Sequence, residues 1–309
     1  MNTPLVSVLM PVYNSERYVA EAIDSILSQD YTNFELIIFD DGSSDGTRKV
    51  IESYNDSRIV KVLSDENFGV VKARNEMIDR ARGKYIALMD ADDIADPVRL
   101  KKQVLSLEAG NCDVSGSAQL VLNQETGSIK KSKDNFFDFD IRALLSVYCT
   151  LCNSSVTARA EIFKKFKYDE NFPVAEDYLL WTRIAAAGYR FENLPDRLVT
   201  YRMYPEQSSS QHREKFSLAS LGVKVGYLKM LGISEKYTPK SLPFPLRLML
   251  GSGLIKALNL HVGKTSYRAN CEIYNRFQYR RKGLPSLLQR IERIALCAYC
   301  YVFSRLVKF

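Results

Sequence analysis

The sequence predicts an α/β fold: a doubly wound, mostly parallel sheet that becomes mixed, followed by a basic helical appendage. Three observations carry the prediction. Short apolar runs alternate with amphipathic segments through the first hundred residues, two of those runs end abruptly in acids, and the charge balance reverses near residue 211. Strand–helix–strand alternation with short connections indicates parallel pairing. Ligands of such sheets bind beyond the carboxyl ends of the strands, where both acid clusters fall.

Val6–Pro11 (VSVLMP) reads as a buried strand, and Asn14 as the N-cap of a helix reaching about Gln29. In that helix Val19, Ala22, Ile23, Ile26 and Leu27 share one face at helical spacing. Phe34–Phe39 (FELIIF) is the next strand and stops at Asp40-Asp41-Gly42-Ser43. A helix over about Thr47–Tyr54 and a strand at Ile59–Leu63 follow, then a helix over Gly69–Arg82 with Val70, Ala73, Met77 and Ile78 inward. Tyr85–Met89 (YIALM) is the fourth strand and runs into Asp90-Ala91-Asp92-Asp93. Pro97 opens a helix to about Glu108. Val114–Leu122 is a strand, and Asn123–Ser128 has the turn chemistry of an antiparallel hairpin, so the sheet becomes mixed here. Glu176–Ala187 is a helix closed by Gly188, with its two acids in the first turn, where the helix dipole favours them. Tyr189–Tyr201 holds two short strands around Pro195, and beyond Ser210 basic helical segments are broken by Pro243, Pro245, Gly283 and Pro285.

At 309 residues, 46% hydrophobic and 26% charged, the chain can bury a sizeable core, which excludes wholesale disorder and collagen-like or disulfide-framework classes. The net charge of +7 is divided. Residues 1–211 carry 25 Lys+Arg against 32 Asp+Glu, and residues 212–309 carry 18 against 4. Such asymmetry points to an anionic partner for the basic part. There Lys and Arg are interleaved with aromatics and Leu, as in Tyr274–Lys282 and from Leu287 onward, which fits amphipathic helices on an anionic membrane surface. No nucleic-acid motif accompanies them, so nucleic acid is not expected as a partner. Met1–Leu9 lacks a basic leader pattern, and Ile294–Phe303 is about half the length of a membrane span. The expected location is cytoplasmic, peripheral at the inner face of the cytoplasmic membrane. Cys149-Thr-Leu-Cys152 and Cys297-Ala-Tyr-Cys300 have apolar flanks, with only His212 and His261 in the chain, and read as reduced, packed thiols.

The acids carry the chemistry. Asp90-Ala91-Asp92 places two carboxylates at i and i+2, which project to the same side of an extended chain. Paired hard oxygen ligands suit Mg²⁺ or Mn²⁺ sharing its shell with a substrate's phosphates, and Asp93 can orient them. Asp40-Asp41-Gly42-Ser43-Ser44-Asp45-Gly46 taken singly is a turn with a helix cap. Two acid-tipped strands at one sheet edge instead describe a site for a ligand carrying phosphate and neutral hydrogen-bonding groups. Glu176-Asp177 adds a third acid pair, satisfied structurally by the helix dipole or functionally as a general base on an acceptor hydroxyl.

Together these residues resemble the family-2 inverting glycosyltransferases with a GT-A fold, of the bacterial cell-surface polysaccharide type. The resemblance rests on Val6–Asn14, Asp40–Thr47, Asn67-x-Gly69 with Ala73-Arg74-Asn75, Asp90–Asp93, and Glu176-Asp177 with Leu180-Trp181. It implies sugar transfer from a nucleoside-diphosphate donor, UDP-sugar favoured, to a glycan or lipid-diphosphate-linked acceptor, with inversion at the anomeric carbon. By motif, Pro11, Val12, Tyr13, Asp40 and Asp41 would line the nucleoside pocket and Arg74 would lie near the nucleotide. Asp90 would hold the nucleotide side, Asp92 would ligate Mn²⁺ or Mg²⁺ at the diphosphate, and Asp177 would be the base. Glu176 and Trp181 would shape the acceptor site. One departure stands out: many relatives carry a His after the Tyr-Arg that follows the base helix, and this chain has Tyr204 after Tyr201-Arg202-Met203. Arg202 or His212 would have to replace any diphosphate contact of that His.

The resulting organisation is a GT-A domain over 1–210, with a nucleotide-binding half (1–110) and an acceptor half (111–210), and a membrane-associating basic region over 211–309. A nucleotidyltransferase on a similar sheet is disfavoured because Pro11-Val12-Tyr13-Asn14, not a Gly-rich basic loop, follows the first strand. A non-catalytic binding module would be expected to have lost acids that are all present here.

Overall fold

The computed structural model describes residues 3–132, 137–207 and 213–233, with scattered positions between 254 and 273. Strands β1 (Val6–Val12), β2 (Phe34–Asp41), β3 (Ile59–Ser64) and β4 (Tyr85–Leu88) pair in parallel in the order 3-2-1-4. Every residue of β2 and β4 is buried, which is why Leu36–Phe39 and β4 read as apolar runs, parallel sheets being covered on both faces; the buried Glu35 of β2 is held by Ser7 and Arg82. The crossovers are α1 (Val19–Leu27), α2 (Thr47–Ser53) and α3 (Val70–Arg80). Val19, Ala22, Ile23 and Ile26 of α1 pack with Val8, Met10, Leu36, Ile38 and Ala87 in one buried cluster.

Beyond β4 the chain forms β5 (Ile94–Ala95), α4 (Arg99–Glu108), β6 (Val114–Asn123), β7 (Ile129–Lys131), α5 (Asp138–Leu144), β8 (Thr157–Arg159), α6 (Ala160–Phe166), α7 (Glu176–Ala186) and β9 (Phe191–Met203). The short β8 pairs antiparallel with β4 and with β6, and so joins the parallel half to the rest of the sheet. β6 and β9 run parallel, while β7 and β5 pair antiparallel at β6 and β9, so the predicted mixed sheet is what forms. The last described long helix is α8 (Arg213–Met230).

Two local expectations are corrected. Asn14 does not cap α1, which begins at Val19 after Tyr18. Asn14 instead takes a left-handed conformation (φ 46°), which asparagine tolerates better than most residues. Its Oδ1 accepts from the Ser44 amide at 2.8 Å, and its own amide donates to the Ser43 hydroxyl at 3.0 Å, tying the loop after β1 to the loop after β2. The two strands expected around Pro195 are one strand, β9. The register against β6 slips at Ser117, Ala118 and Gln119, so that Ser117 faces Leu194 and Ala118 faces Arg197. That bulge removes Pro195 from the ladder, where it has no N–H to donate.

The chain separates into two compact units, Met1–Asn135 with Leu151–Ala219, and Phe136–Thr150 with Ser220–Phe309. Within the second, Asp140 Oδ1 accepts from the Ser266 amide at 2.6 Å and the Tyr227 hydroxyl donates to the Arg142 carbonyl at 2.8 Å. No helix among the described residues is long and apolar enough to cross a membrane. Cys149 and Cys152 are in no disulfide, and burial pushes the Cys152 thiol well above its ordinary value. Cys297 and Cys300 lie outside the described residues, as do the basic-aromatic segments from Tyr274 onward.

Candidate active site

The strand order reverses between β1 and β4, and the predicted acids gather at the carboxyl ends on either side of that point. On the β1–β2 side Val12 is buried opposite Asp40, Pro11 is partly exposed, and Tyr13 presents half its surface (50%) to solvent just beyond the strand. An exposed ring at such an edge is suited to stack on a nucleobase. Both aspartates that end β2 are buried and occupied. Asp40 accepts from Arg48 Nε at 3.1 Å and from the Ser43 amide at 3.2 Å. Asp41 accepts from the amides of Phe68 and Gly69, each at 2.8 Å. Charge-assisted bonds of this kind make the pair clamps on the two surrounding loops. The turn leaving Asp41 uses Gly42 with φ 71°, where an added Cβ would lie 2.7 Å from the Glu66 carbonyl carbon.

Asp90 follows β4 and is held from two directions. Its Oδ2 accepts from the Ser154 hydroxyl at 2.8 Å, and its Oδ1 from Arg74 Nη2 at 2.9 Å. The other arm of Arg74 reaches Glu176 Oε1 at 2.5 Å, at the start of α7. The structure thus draws three sequence-distant residues, Arg74, Asp90 and Glu176, into one ion cluster. Burial disfavours the Arg74 charge, but Tyr168, Asp90, Glu176 and Asp177 around it more than reverse this and raise its pKa.

Asp177 follows in the first turn of α7, after Ala175 in a left-handed conformation (φ 57°). Its Oδ1 accepts from the Tyr178 amide at 2.7 Å. Desolvation, then the neighbouring Glu176 charge, push its pKa up to about 7, with Arg74 pulling the other way. A carboxylate whose proton affinity sits near neutrality is matched to general-base work. Trp181 does not line a surface: it is fully buried (0% exposed), packed edge-on against Phe163 at 6.1 Å. Any influence it has on an acceptor is exerted from behind, by seating α7.

Asp92 and Asp93 belong to a second network. Asp92 Oδ2 accepts from the Tyr204 hydroxyl at 2.8 Å and from Gln207 Nε2 at 3.4 Å. Asp93 is fully buried; its Oδ1 accepts from the Arg202 amide at 3.0 Å, and its Oδ2 has no hydrogen-bond partner. The Arg202 guanidinium is buried too, donating to the Asp92 carbonyl at 3.0 Å and to Glu21, over the face of Tyr18. It is therefore committed to shaping the acid loop, with Nε alone unpartnered. His212, the other candidate to replace the missing His, lies outside the described residues.

Comparison with known proteins agrees with this geometry. Residues 7–168 match the family described as Glycosyl transferase family 2. An uncharacterized glycosyltransferase of Haemophilus influenzae is 32% identical over 252 residues, covering 76% of this chain and 78% of the relative. The chain belongs to glycosyl transferase family 2.

Other relatives of this family 2 glycosyltransferase include the Bacillus subtilis protein TuaG, named for teichuronic acid biosynthesis. It is 28% identical over 214 residues, 67% of this chain and 82% of that one. S. aureus TarS 1–349, solved in complex with UDP-GlcNAc, superimposes with a TM-score of 0.57 at 19% identity, covering 98% of this chain and 92% of that one. That likeness establishes the GT-A-like fold.

Whether the acid loop of this glycosyltransferase fits a divalent cation can be tested on its own chemistry. Desolvation first, and then the Asp90 charge, raise the pKa of Asp92. Asp93 leaves one buried oxygen unsatisfied. The loop therefore carries more negative charge than its hydrogen bonds neutralise, which a cation would relieve. No group of three or more His, Cys, Asp or Glu among the described residues forms a closed metal cage. The donor set suits Mg²⁺ or Mn²⁺, which takes one or two carboxylates and fills its shell with water and phosphate oxygens. Sequence reasoning missed Ser154, Tyr168 and Gln207 as members of the site. Tyr204 carried a signal, standing where many relatives have His.

Proposed function

We propose that this protein is an inverting glycosyltransferase that moves a sugar from a UDP-sugar to a glycan or lipid-diphosphate-linked acceptor during cell-surface polysaccharide synthesis. The carrying observation is Asp177: a carboxylate with a pKa near 7, joined through Glu176 and Arg74 to the acid edge that would receive a diphosphate. The UDP preference and the cell-surface role are supported by TarS, solved with UDP-GlcNAc, and by TuaG, named for teichuronic acid biosynthesis.

In the proposed reaction Asp177 accepts the proton of an acceptor hydroxyl as its oxygen attacks the anomeric carbon from the face opposite the diphosphate. The new C–O bond forms as the bond to the diphosphate oxygen breaks, and the nucleoside diphosphate leaves with the electron pair. Inversion follows from this single displacement, which needs no enzyme nucleophile. Tyr13 and the strand edge at Pro11 and Val12 seat the nucleoside. Asp92, with Asp90, would hold Mn²⁺ or Mg²⁺, which neutralises charge on the leaving diphosphate. Tyr204 and Gln207 orient the Asp92 carboxylate, and Arg202 and Asp93 hold the loop that carries it.

The test is transfer from UDP-sugars, with the anomeric configuration of the product read by NMR and the rate followed against pH. Rate should rise with pH up to about 7, because only ionised Asp177 can take the proton. A retained configuration, or full activity in Asp177→Asn, would overturn the reading. The excess of 18 Lys+Arg over 4 Asp+Glu in residues 212–309 supports a peripheral position at the inner face of the cytoplasmic membrane. The full chain should then co-float with vesicles rich in anionic lipid and not with neutral ones.

A further inference from the structure

Arg74 sits in α3, 6% exposed, and spends its two terminal nitrogens on carboxylates from two other parts of the chain. Glu176 lies 102 residues away and Asp90 lies 16 away. Its surroundings are equally fixed. The guanidinium carbon stands 5.3 Å from the centre of the Tyr168 ring. Tyr168 is clamped in turn by Asn75, the next residue of α3, which accepts from the Tyr168 amide at 2.9 Å and donates to its carbonyl at 3.0 Å. On the far side Ser154 holds the second oxygen of Asp90. A buried ion cluster of this kind is a poor source of net stability, since desolvation offsets most of the attraction. A planar fork joining two carboxylates at fixed spacing is, however, a good spacer.

We propose that Arg74 is a positioning residue: it braces the first turn of α7 against the carboxyl end of β4 and sets the charge balance felt by Asp177. The proposal rests on the reading of Asp177 as the base. The groups facing Asp177 are Glu176 from its own helix, Arg74 from α3, Asp90 after β4, and Tyr168 before α7. Of the two members of the brace nearest Asp177, Glu176 favours its protonated form and Arg74 its ionised form. Their removal must therefore act with opposite signs, which a merely structural contact would not do.

The experiment is a double-mutant cycle with Arg74→Gln, Glu176→Gln and the double variant, read by the pH dependence of kcat and by calorimetric titration with UDP. The acid limb is expected to move up by about one pH unit in R74Q and down by about one in E176Q, with the double variant near wild type. At pH 7 an upward shift of that size lowers kcat about fivefold. UDP affinity should stay within about twofold throughout, because the Arg74 fork is spent on Asp90 and Glu176 and is not free for the nucleotide that the motif placed near it. Should R74Q fail to fold, the double variant buries a neutral pair in its place, and Arg74→Lys keeps the charge while losing the fork. R74K is expected to keep the limb and lose kcat without a change in KM. Melting of the nucleotide-free protein gives a readout independent of turnover: the pH at which stability breaks should shift in the same order.

The proposal is overturned if R74Q weakens UDP binding tenfold with the limb unmoved, or if R74Q and E176Q shift it the same way. A wild-type profile with no limb near pH 7, or an active Asp177→Asn, overturns the base assignment instead. A wild-type limb that R74Q leaves in place, with Asp177→Asn inactive, overturns the brace alone.

Discussion

Asp177→Asn should make the protein more stable and nearly inactive, and the pH dependence of the first effect follows from the structure. The Asp177 carboxyl has a pKa of about 7 in the fold against an ordinary value of 3.8. Between those values the folded chain keeps a proton that the unfolded chain releases. Stability attached to this group is therefore full at low pH and is lost progressively as pH rises from about 4 to about 7. Each tenfold change in proton affinity corresponds to about 1.4 kcal/mol, so a change of about a thousandfold gives roughly 4 kcal/mol as an upper bound. Asp177 keeps partial access to solvent, and screening reduces this to about 2 kcal/mol. Asparagine has the same shape, retains an oxygen to accept from the Tyr178 amide, and carries no charge to desolvate.

The assay is thermal unfolding of wild type and Asp177→Asn, free of nucleotide, at pH 4 and pH 8. At pH 4 the two should melt together; at pH 8 the variant should melt about 5 °C higher. Transfer by the variant should fall by roughly 10²–10⁴, the usual range for loss of a positioned base, while UDP binding is retained. Equal melting temperatures at pH 8, or a difference that does not depend on pH, would refute the reasoning. The carboxylate would then not be held in the unfavourable ionised state that the fold imposes.

Other predictions test neighbouring contacts. Asp92→Ala should abolish the Mn²⁺-dependent component of UDP binding, measured by calorimetry with and without the metal. Tyr204→Phe removes only the hydroxyl that donates to Asp92 Oδ2; loss of such a support to a metal-binding carboxylate should weaken Mn²⁺-dependent UDP binding by about tenfold, and unchanged affinity would remove Tyr204 from the site. Gly83→Ala should lower stability by about 2–3 kcal/mol in denaturant unfolding. The new Cβ would lie 2.6 Å from the Ser7 amide nitrogen, 2.7 Å from the Tyr85 carbonyl and 2.8 Å from the Leu5 carbonyl, all backbone that cannot move aside cheaply.

The parallel half of the fold was legible because its central strands are buried on both faces and so leave apolar runs at LIIF and YIALM. The acid clusters were legible because they terminate those runs. What escaped depends on pairings that leave no periodic trace. β8 has three residues, too few for a pattern, yet it joins the two halves of the sheet, and the turn before it supplies Ser154 to Asp90. Pro195 looked like a break between strands because a one-dimensional reading cannot see the bulge that accommodates it. Arg202 and Trp181 looked like site-facing residues, and both are buried: whether a large side chain turns inward is decided by what packs on the far side. Arg74 was legible as a motif residue, but its two carboxylate partners become neighbours only after folding.

Those two partners show how the site is held together. A loop with Asp90, Asp92 and Asp93 in succession, near Glu176 and Asp177, concentrates like charges that repel and resist burial. Of the buried arginines beside them, Arg74 opposes that charge directly, between Asp90 and Glu176, whereas Arg202 ties the loop down through its backbone amide to Asp93 and its side chain to the Asp92 carbonyl and Glu21. Neither cation reaches the carboxyl of Asp177 in a direct hydrogen bond, and Asp93 Oδ2 goes without one altogether. The compensation is therefore incomplete at the two places where the proposed chemistry needs reserve: a base that must take up a proton, and an acid loop that must accept a cation with its diphosphate. Full neutralisation would stabilise the fold and weaken both. Adding a positive charge beside Asp177 should on the same grounds raise stability at pH 8, move the acid limb down and lower the plateau rate above that limb, because a carboxylate stabilised in its ionised form is a weaker base.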